Sequence, residues 1–504
     1  MKRTLVFLIL VLSTFRTARA EDDPARQLAR ILAEKGLLTI EELATIERAD
    51  TGGAVRMLSE LLHQKGILTQ SEMARVMGPG TPPSSQGVRF VPAVLEAAIP
   101  AASPAAGAAP PQPQPAGPKQ ESPVPPVTSA ARFPVQIYGT VLWNAFYNTA
   151  GTNIEDIPLL ATKRGTDPFE NFGMTARQSR FGLRYQGPTV MGGKLSGTVE
   201  LDLLGGTASF GNGVGMDLPR LRLAYGRVDW NSISIEAGQD WAVFSPLNPT
   251  SLASFAIPSM SASGNPWIRS PQFRFEWKSE VGKPTRMLLQ AAALDPDVGD
   301  NPATLAAARA PAVGERGRGP AGEVRLAVIS KIDDRDFTIG LSSHYGRGLN
   351  VGTLAGATVT RPVDSWGVNL DYTLPLHKYF ILTGEAFVGR ALGLFSVSTG
   401  EAVLPVGTPG EHGVLARGGW AQGQINFNAK WQMNLAYGLE TIDQANLRTG
   451  DRGKNQTYMT NLMYKLSPHI TWAWEWRRFL SDYRNQQVAN AIGDTANMAI
   501  SYIF

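Results

Sequence analysis

The chain has 504 residues, of which 43% are hydrophobic, and its formal net charge of +4 is too small and too dispersed to favour a nucleic-acid partner. After the N-terminus, no stretch approaches the ~20 consecutive apolar residues of a membrane helix, which excludes a helical membrane protein. Cysteine is absent, so no disulfide bond stabilises the fold.

The first 20 residues predict a secretory signal peptide. Residues 2–3 form a positive end, residues 5–12 an apolar core too short to span a bilayer, and residues 18–20 an A-x-A cleavage motif. We therefore expect cleavage after Ala20 and export from the cytoplasm. The alternative is a short N-terminal anchor.

Residues 21–77 predict a small helical module with an internal repeat. Residues 28–39 return in similar form as residues 58–69. In each copy a helix ends at a glycine, and a second helix begins after a threonine with a glutamate three residues further on, which is a capping box. These residues are Gly36, Thr39 and Glu42 in the first copy and Gly66, Thr69 and Glu72 in the second. We expect a periplasmic module that either docks or oligomerises, with a periplasmic or cell-wall partner for residues 24–77 as one expectation.

Residues 78–132 are rich in proline and alanine, which indicates a disordered or polyproline-like linker. Its expected role is to hold the helical module at a distance from residues 133–504. Whether it does more than separate the two parts is left open.

Residues 133–504 alternate between apolar and polar side chains in short segments. The sixteen candidate strands lie near residues 135–147, 177–187, 193–203, 219–230, 232–240, 269–278, 284–294, 322–332, 336–346, 364–374, 378–390, 417–427, 430–442, 455–466, 468–479 and 495–504. The connectors between them are alternately long and short. An even strand number with loops sorted between two rims predicts an all-β fold, a 16-stranded antiparallel transmembrane β-barrel. Both of its ends would then face the periplasm.

The alternation also assigns the charged residues of five neighbouring strands to the inner wall, because arginine on the lipid face costs ~2–4 kcal/mol at mid-bilayer. The same parity places Leu221, Leu223 and Tyr225 on the lipid face. The inner set is expected to line the pore and bind solute; the alternative is salt bridges that only satisfy buried charges. The set comprises Arg180, Arg184, Arg220, Arg222, Arg274, Glu200, Asp202, Glu236, Asp240 and Glu276.

The connector 241–268 differs from the other long connectors because it has few charges and many small residues. A loop of this type can fold inward and narrow the lumen. It can equally lie outside and pack against a neighbouring subunit. The sequence leaves both arrangements open.

Three segments resemble the signatures of DcaP-like trimeric outer-membrane porins: residues 175–183, 222–226 and 237–244. The terminal Tyr502-Ile503-Phe504 resembles the aromatic end of many outer-membrane barrels. The resemblance implies a sixteen-stranded trimeric barrel that passes small anions, often carboxylates. It also implies an N-terminal periplasmic coiled coil, from which the capped hairpin repeat of this chain departs.

The leading functional hypothesis is therefore a passive diffusion porin of the bacterial outer membrane that favours small anions, without cofactor, metal or catalytic residues. Its expected partners are outer-membrane lipid, lipopolysaccharide and, through the resemblance, two further copies in a homotrimer. The alternative is an envelope tether or assembly protein that acts through its helical module. We do not expect an enzyme, because four of the five histidines lie far apart in the sequence and no G-x-S-x-G element occurs. These histidines are His344, His377, His412 and His469.

Overall fold

The structure is a computed structural model that describes residues 39–49, 51–64, 134–162, 170–206, 217–282, 284–296, 311–394, 402–485 and 491–504, together with Arg26, Ala29, Arg30 and Ala33. It divides into two compact units, Met1–Ala106 and Gly107–Phe504. Among these described residues, no helix is long and apolar enough to cross a membrane.

The first unit contains helices α1 (Ile40–Arg48) and α2 (Thr51–Gln64). The predicted capping box begins α1: the Glu42 N–H donates to the Thr39 hydroxyl at 3.3 Å, and the Thr39 N–H donates to the Glu42 carboxylate at 2.7 Å. The buried apolar side chains of this unit are Ala29, Ile46, Ala54, Leu58 and Leu62. They are the core of this unit, and it is small because a unit of this size can bury only a small apolar area.

Several predictions for the N-terminal part fall outside the described residues. They are the signal peptide (1–20), the linker (78–132), the glycine caps Gly36 and Gly66, and the second capping box at Thr69 and Glu72. All of these remain predictions.

The second unit is one antiparallel sheet of seventeen segments. The segments are β1 (Val135–Asn148), β2 (Asn171–Thr175), β3 (Arg180–Val190), β4 (Gly193–Asp202), β5 (Arg220–Asp229), β6 (Ile233–Trp241), β7 (Arg269–Gly282), β8 (Thr285–Leu294), β9 (Ala321–Ile332), β10 (Arg335–Leu354), β11 (Ala357–His377), β12 (Phe380–Arg390), β13 (Leu415–Asn426), β14 (Trp431–Ile442), β15 (Arg452–Lys465), β16 (Ile470–Tyr483) and β17 (Ala491–Ile503). Within the described connectors, single-turn 3-10 helices lie at Glu315–Gly317, Leu392–Leu394 and Gln444–Asn446.

Two of these segments form a single barrel strand. β1 pairs with β3 through residues 135–140 and with β2 through residues 144–148, so β2 and β3 lie end to end beside β1. Every other strand pairs with its neighbours along the chain, and β17 pairs with β1, which closes the sheet. The predicted 16-stranded antiparallel β-barrel is therefore confirmed.

The predicted sorting of connectors is confirmed with one exception. The predicted loop 347–363 is a paired extension of β10 and β11, with a register that runs unbroken to Leu354 and Ala357. The hairpin closes on Ala355 (φ 51°) and Gly356 (φ 82°), the positive φ values of a type I′ turn. The loop prediction was wrong here because paired strands can project beyond a rim, where lipid-facing alternation no longer marks them.

A β-bulge on β5 overturns part of the predicted face assignment. The consecutive β4 residues 200 and 201 pair with residues 223 and 221, so Arg222 is an extra residue. Beyond the bulge the side-chain parity changes, and Leu223 is only 3% exposed while Tyr225 faces inward beside its β4 partner. The predicted lipid-facing positions of Leu223 and Tyr225 are therefore wrong, whereas Leu221 is exposed as expected.

Two residues of β6 stabilise this bulge. The Gln239 side-chain amide donates to the carbonyls of Leu221 (3.0 Å) and Arg222 (3.2 Å), which the irregular ladder leaves free. Gly238 has φ 132°, and a Cβ atom there would lie 2.2 Å from the Ala224 carbonyl oxygen. Both residues belong to the segment 237–244 that carries the resemblance.

Replacing Gln239 with alanine is expected to destabilise the barrel by about 1–3 kcal/mol, because two carbonyls lose their donor. The measurement is denaturant unfolding of the refolded barrel, followed by tryptophan fluorescence. The matched control is Gln456→Ala, since Gln456 donates to the Tyr437 hydroxyl at 2.9 Å and not to a backbone carbonyl. Equal stability losses in the two variants would contradict the role of Gln239 in the bulge.

Candidate functional site

The connector between β6 and β7 folds into the barrel. Nearly all residues from Ala242 to Ile268 are buried, and we call this segment the lumen loop. It hydrogen-bonds to inward side chains on strands all around the wall. The wall partners include Asn144, Glu323, Ser342, Asn369, Glu385, Gln422, Asn461 and Arg477. Of the two arrangements that the sequence left open, the structure has the inward one.

Two buried glutamates hold the start of the lumen loop. The Glu323 carboxylate accepts the N–H groups of Val243 and Phe244, each at 3.0 Å. The Glu385 carboxylate accepts the Leu247 N–H at 2.8 Å and the Ser245 hydroxyl. Each carboxyl group accepts two hydrogen bonds from the loop, so these two residues fix the direction in which the loop enters the lumen.

Uncharged and basic side chains on the next strands of the wall, β13–β16, hold the middle of the loop. Gln422 accepts the Thr250 N–H at 2.8 Å, and Asn461 donates to the Thr250 carbonyl at 2.8 Å. The Arg477 guanidinium donates to the Ser251 hydroxyl at 2.9 Å. The loop, which begins at the end of β6, therefore reaches the distant strands β13–β16.

Gln178 holds the next part of the loop with both ends of its side-chain amide. Its nitrogen donates to the Ala253 carbonyl at 3.1 Å, and its oxygen accepts the N–H groups of Phe255 (2.8 Å) and Ala256 (3.0 Å). Gln178 is fully buried. It lies in the interruption between β2 and β3, inside the segment 175–183 that carries the resemblance. This segment therefore binds the backbone of the lumen loop.

Four guanidinium groups converge on the same part of the loop, and we call them the arginine cluster: Arg180, Arg220, Arg222 and Arg269. Three of them donate to the Ala256 carbonyl, at 3.0 Å from Arg220, 3.1 Å from Arg222 and 3.5 Å from Arg269. The fourth, Arg180, donates to the Phe255 carbonyl. The structure therefore brings together three of the five predicted arginines and adds one, Arg269.

Two of the predicted carboxylates neutralise part of this cluster. Arg222 lies 2.7 Å from Glu200 and 2.9 Å from Asp202, and Arg220 lies 2.6 Å from Asp202. Four guanidinium groups thus face two carboxylates, a formal excess of two positive charges. Because Arg222 is only 1% exposed and paired twice, it acts mainly as part of the wall.

The excess charge lies on Arg180 and Arg269. Neither has a carboxylate within 4 Å among the residues that the structure describes, and both pack on aromatic rings. The Arg180 guanidinium lies 3.5 Å from the Phe255 ring centre, and Arg269 lies 4.9 and 5.0 Å from the two rings of Trp241 and Trp267. The Nε of Arg180 and one terminal nitrogen of Arg269 are buried without an acceptor.

A second, separate group contains the remaining predicted acids. Arg274 lies 3.2 Å from Asp240 and 3.5 Å from Glu236, and Arg227 lies 2.5 Å from Glu276 and 3.2 Å from Glu236. With Lys278 and Asp229, three cations here face four carboxylates. Arg274 is therefore a saturated structural residue, and the structure does not bring it to the arginine cluster.

Arg184, the last of the predicted arginines, lies apart from both groups. Its guanidinium lies 4.0 Å from the ring centre of Tyr138, whose hydroxyl donates to Glu200 at 3.1 Å. It stands on the inner wall towards the short-turn rim, below the arginine cluster.

Sequence parity missed two arginines for identifiable reasons. Arg227 lies beyond the β5 bulge, which moves it from the predicted outer face to the inner face. Arg269 is the first residue of β7, where the strand meets the lumen loop and strict alternation has not begun. A two-residue period cannot reveal a bulge, so the inward position of Arg227 could not be predicted. Arg269 could have been proposed as an inward residue, because it is a basic residue at the end of the lumen loop.

His344 takes part in an arrangement that resembles a catalytic triad. Its Nδ1 lies 3.3 Å from Glu323, and its Nε2 lies 3.2 Å from the Ser365 hydroxyl, so strands β9, β10 and β11 bring together residues that are distant in sequence. However, Ser365 is fully buried and donates to the Ala391 carbonyl at 3.3 Å. Glu323 also holds the lumen loop, so this network orients the glutamate rather than exposing a nucleophile.

A loop at the long-loop rim packs over the lumen loop. Leu404 and Val414 share an apolar cluster with Phe244. The same segment carries Glu411, whose pKa is lowered because its carboxylate accepts the Gly407 N–H and pairs with Arg361.

Within the described part of the chain, no group of three or more acidic or histidine side chains is arranged to hold a metal ion.

No protein-family model matches this sequence, and no curated protein matches it. Among solved structures, the chain is similar to the outer membrane channel DcaP of Acinetobacter baumannii, with 17% identity and a TM-score of 0.56 over 76% of this chain and 100% of that chain. It is also similar to Pseudomonas putida OprB (10% identity, TM-score 0.47, 73% and 94% covered). The anion-selective porin from Comamonas acidovorans gives 12% identity and a TM-score of 0.44, with 73% and 99% covered. The similarity to DcaP confirms the predicted resemblance for the fold of the second unit, a closed sixteen-stranded barrel.

Proposed function

We propose that the protein is an outer-membrane porin for passive diffusion of small hydrophilic solutes, with a preference for anions such as carboxylates. The observation that carries this proposal is the arginine cluster, which lies on the inner wall beside a loop that crosses the lumen. A closed barrel with a polar interior and an inward loop is an arrangement suited to a narrowed, water-filled path.

The mechanism is electrodiffusion past the arginine cluster. The two guanidinium groups of Arg180 and Arg269 supply positive potential that no nearby carboxylate cancels, and a low-dielectric wall concentrates such a field. Their planar donors can replace part of the hydration shell of a carboxylate in a bidentate contact. Aromatic packing on Phe255, Trp241 and Trp267 holds the side chains without neutralising them.

The preference is local. Elsewhere on the inner wall, Arg325 pairs with Asp371 (2.6 Å) and Arg452 pairs with Glu440 (3.2 Å). Arg184 packs on the Tyr138 ring without an ion pair among the described residues. Glu385 has loop hydrogen bonds instead of a cation partner. The charge pairing of the inner wall therefore favours a modest anion preference, set by the arginine cluster, over a strong one.

The same proposal gives the protein an orientation. Both chain ends of the barrel lie at the short-turn rim, which in single-chain bacterial barrels faces the periplasm. The helical unit, after removal of the signal peptide, would then be periplasmic and joined through the linker 78–132. We further propose a homotrimer, on the basis of the sequence resemblance to trimeric porins.

Replacing Arg180 and Arg269 together with glutamine should move the reversal potential in a salt gradient towards cations. A unit charge at about 4 Å contributes about 1 kcal/mol even in water, so we expect a roughly five-fold or larger fall in the anion-to-cation permeability ratio. Planar-bilayer recordings measure this. The control is Arg347→Gln with Arg478→Gln, two outward arginines with carboxylate partners. Absence of channels, or an unchanged ratio in the Arg180 and Arg269 variant, would contradict the proposal.

Replacing Glu385 with alanine should raise single-channel conductance and open-channel noise. The Leu247 N–H and the Ser245 hydroxyl lose their acceptor, and each buried donor left without a partner costs about 1–3 kcal/mol, so the start of the lumen loop becomes mobile. Glu385→Gln should show a smaller effect, because one acceptor oxygen remains. Glu236→Ala is the matched control, a buried wall glutamate that pairs with arginines. Identical recordings from Glu385→Ala and wild type would contradict a narrowing role for the loop.

The protein is not expected to react with a serine-directed fluorophosphonate probe, because the Ser365 side chain is fully buried. Labelling is measured by intact-protein mass spectrometry of the folded barrel. Labelling that disappears in both Ser365→Ala and His344→Ala would instead indicate a hydrolase, and would overturn the proposal that this chain is not an enzyme.

A further inference from the structure

Among the described residues, four outward-facing arginines lie on strands near the long-loop rim, and two of them differ from the others. Arg347 lies 3.8 Å from Asp364, and Arg478 lies 2.9 Å from Asp494. Arg390 and Arg417 are exposed, and within the described residues neither has a carboxylate within 4 Å or a side-chain hydrogen bond. We call Arg390 and Arg417 the rim pair.

The rim pair lies on two adjacent strands. Arg390 of β12 pairs with Leu415 of β13, and Val388 pairs with Arg417, so the two arginines are diagonal neighbours on one face. Diagonal neighbours lie about 7–8 Å apart between Cα atoms, within reach of two long side chains that bind one group. The neighbouring β11 partner of Arg390 is Trp366, which is 38% exposed on the same face.

The rim pair stands at the edge of the apolar belt. On β12 the outward positions before Arg390 carry Leu382, Gly384, Ala386 and Val388. From Phe380 to Arg390 the strand advances about 25 Å along the barrel axis, for a rise of ~3.3 Å per residue and a tilt of ~40°, which equals the height of the apolar band of such barrels. The guanidinium groups therefore lie at headgroup depth, where an outward arginine costs little.

Two exposed acids flank the pair in the sheet, Asp364 on β11 and Asp443 after β14, and neither lies within 4 Å of either arginine. Asp364 lies two residues further out on β11 than Trp366, and it already contacts Arg347 and the Tyr345 hydroxyl (3.0 Å). Two unpaired guanidinium groups at headgroup depth, beside an exposed indole ring, match a phosphate group attached to an acyl-chain lipid. Guanidinium binds phosphate bidentately, and tryptophan packs at the level of headgroups.

We propose that the rim pair binds the phosphate of a phosphorylated lipid in the outer leaflet, with the acyl chains lying along the small outward residues of β12 and β13. This site rests on the membrane orientation given under the proposed function, but not on conduction. The outward lining residues on β13 are the small residues Gly419, Ala421 and Gly423, and the Phe380 ring packs over Gly423 at the far end of this face.

The experiment is native mass spectrometry of the detergent-solubilised full chain titrated with bis-phosphorylated lipid A. We expect Arg390→Gln with Arg417→Gln to weaken binding at least about ten-fold, and Arg390→Lys with Arg417→Lys to recover part of it. Arg347→Gln with Arg478→Gln is the matched control and should bind like wild type. Removal of the lipid phosphates should weaken wild-type binding to the level of the double glutamine variant.

Three outcomes would overturn this proposal. Equal lipid binding by the rim-pair variant and the control would show that the two arginines are not the site. Competition by inorganic phosphate at concentrations equal to those of the lipid would indicate a site for free anions. If the rim-pair variant lost its oligomeric state while its monomer still bound the lipid, the rim pair would form a contact between subunits instead of a lipid site. Conductance is recorded on the same preparations, so that failure of the porin proposal is seen separately.

Discussion

A loop that crosses the inside of a barrel must satisfy its own backbone polar groups, and the interior of this protein is organised around that requirement. Buried N–H and C=O groups without partners each cost about 1–3 kcal/mol, so connecting segments usually lie on the surface. The lumen loop instead receives donors and acceptors from nearly every sector of the wall. Small residues keep its backbone accessible to these partners, and the scarcity of charged residues avoids further unsatisfied groups.

This requirement gives a physical account of the sequence segments that carry the resemblance to DcaP-like porins. In residues 175–183, Gln178 binds the backbone of the loop with both ends of its amide, and Ser179 accepts the Leu142 N–H at 3.0 Å where the strand is interrupted. In residues 237–244, Gly238 and Gln239 accommodate the bulge of β5. The bulge in turn directs Arg227 inward and leaves Arg222 between two carboxylates. These signatures therefore describe how the wall holds the loop, rather than which solute passes.

The sequence was sufficient for the architecture because lipid imposes a two-residue period on every strand that it contacts. Strand number, closure and the sorting of connectors all follow from that period. It fails where lipid no longer constrains the chain: in the extended hairpin of β10 and β11, at the interruption between β2 and β3, and beyond the bulge at Arg222. The inward course of the lumen loop could not be derived, because the glutamates that hold it, Glu323 and Glu385, lie on strands far along the chain.

The sequence predicts the candidate site as a set of inward arginines. An inward position identifies the arginines that act on a solute less well than the absence of a carboxylate partner does. Arg222 and Arg274 face inward but are enclosed by carboxylates, and removing such a cation would mainly expose its acidic partners. Arg180 and Arg269 retain uncompensated charge because aromatic rings support them in place of acids. A field that acts on a passing solute must come from charges that the protein itself does not cancel. Selectivity in a barrel of this kind therefore depends on the few positions where the wall is left unpaired, and these can be identified only once every inward charge has been matched with its partners.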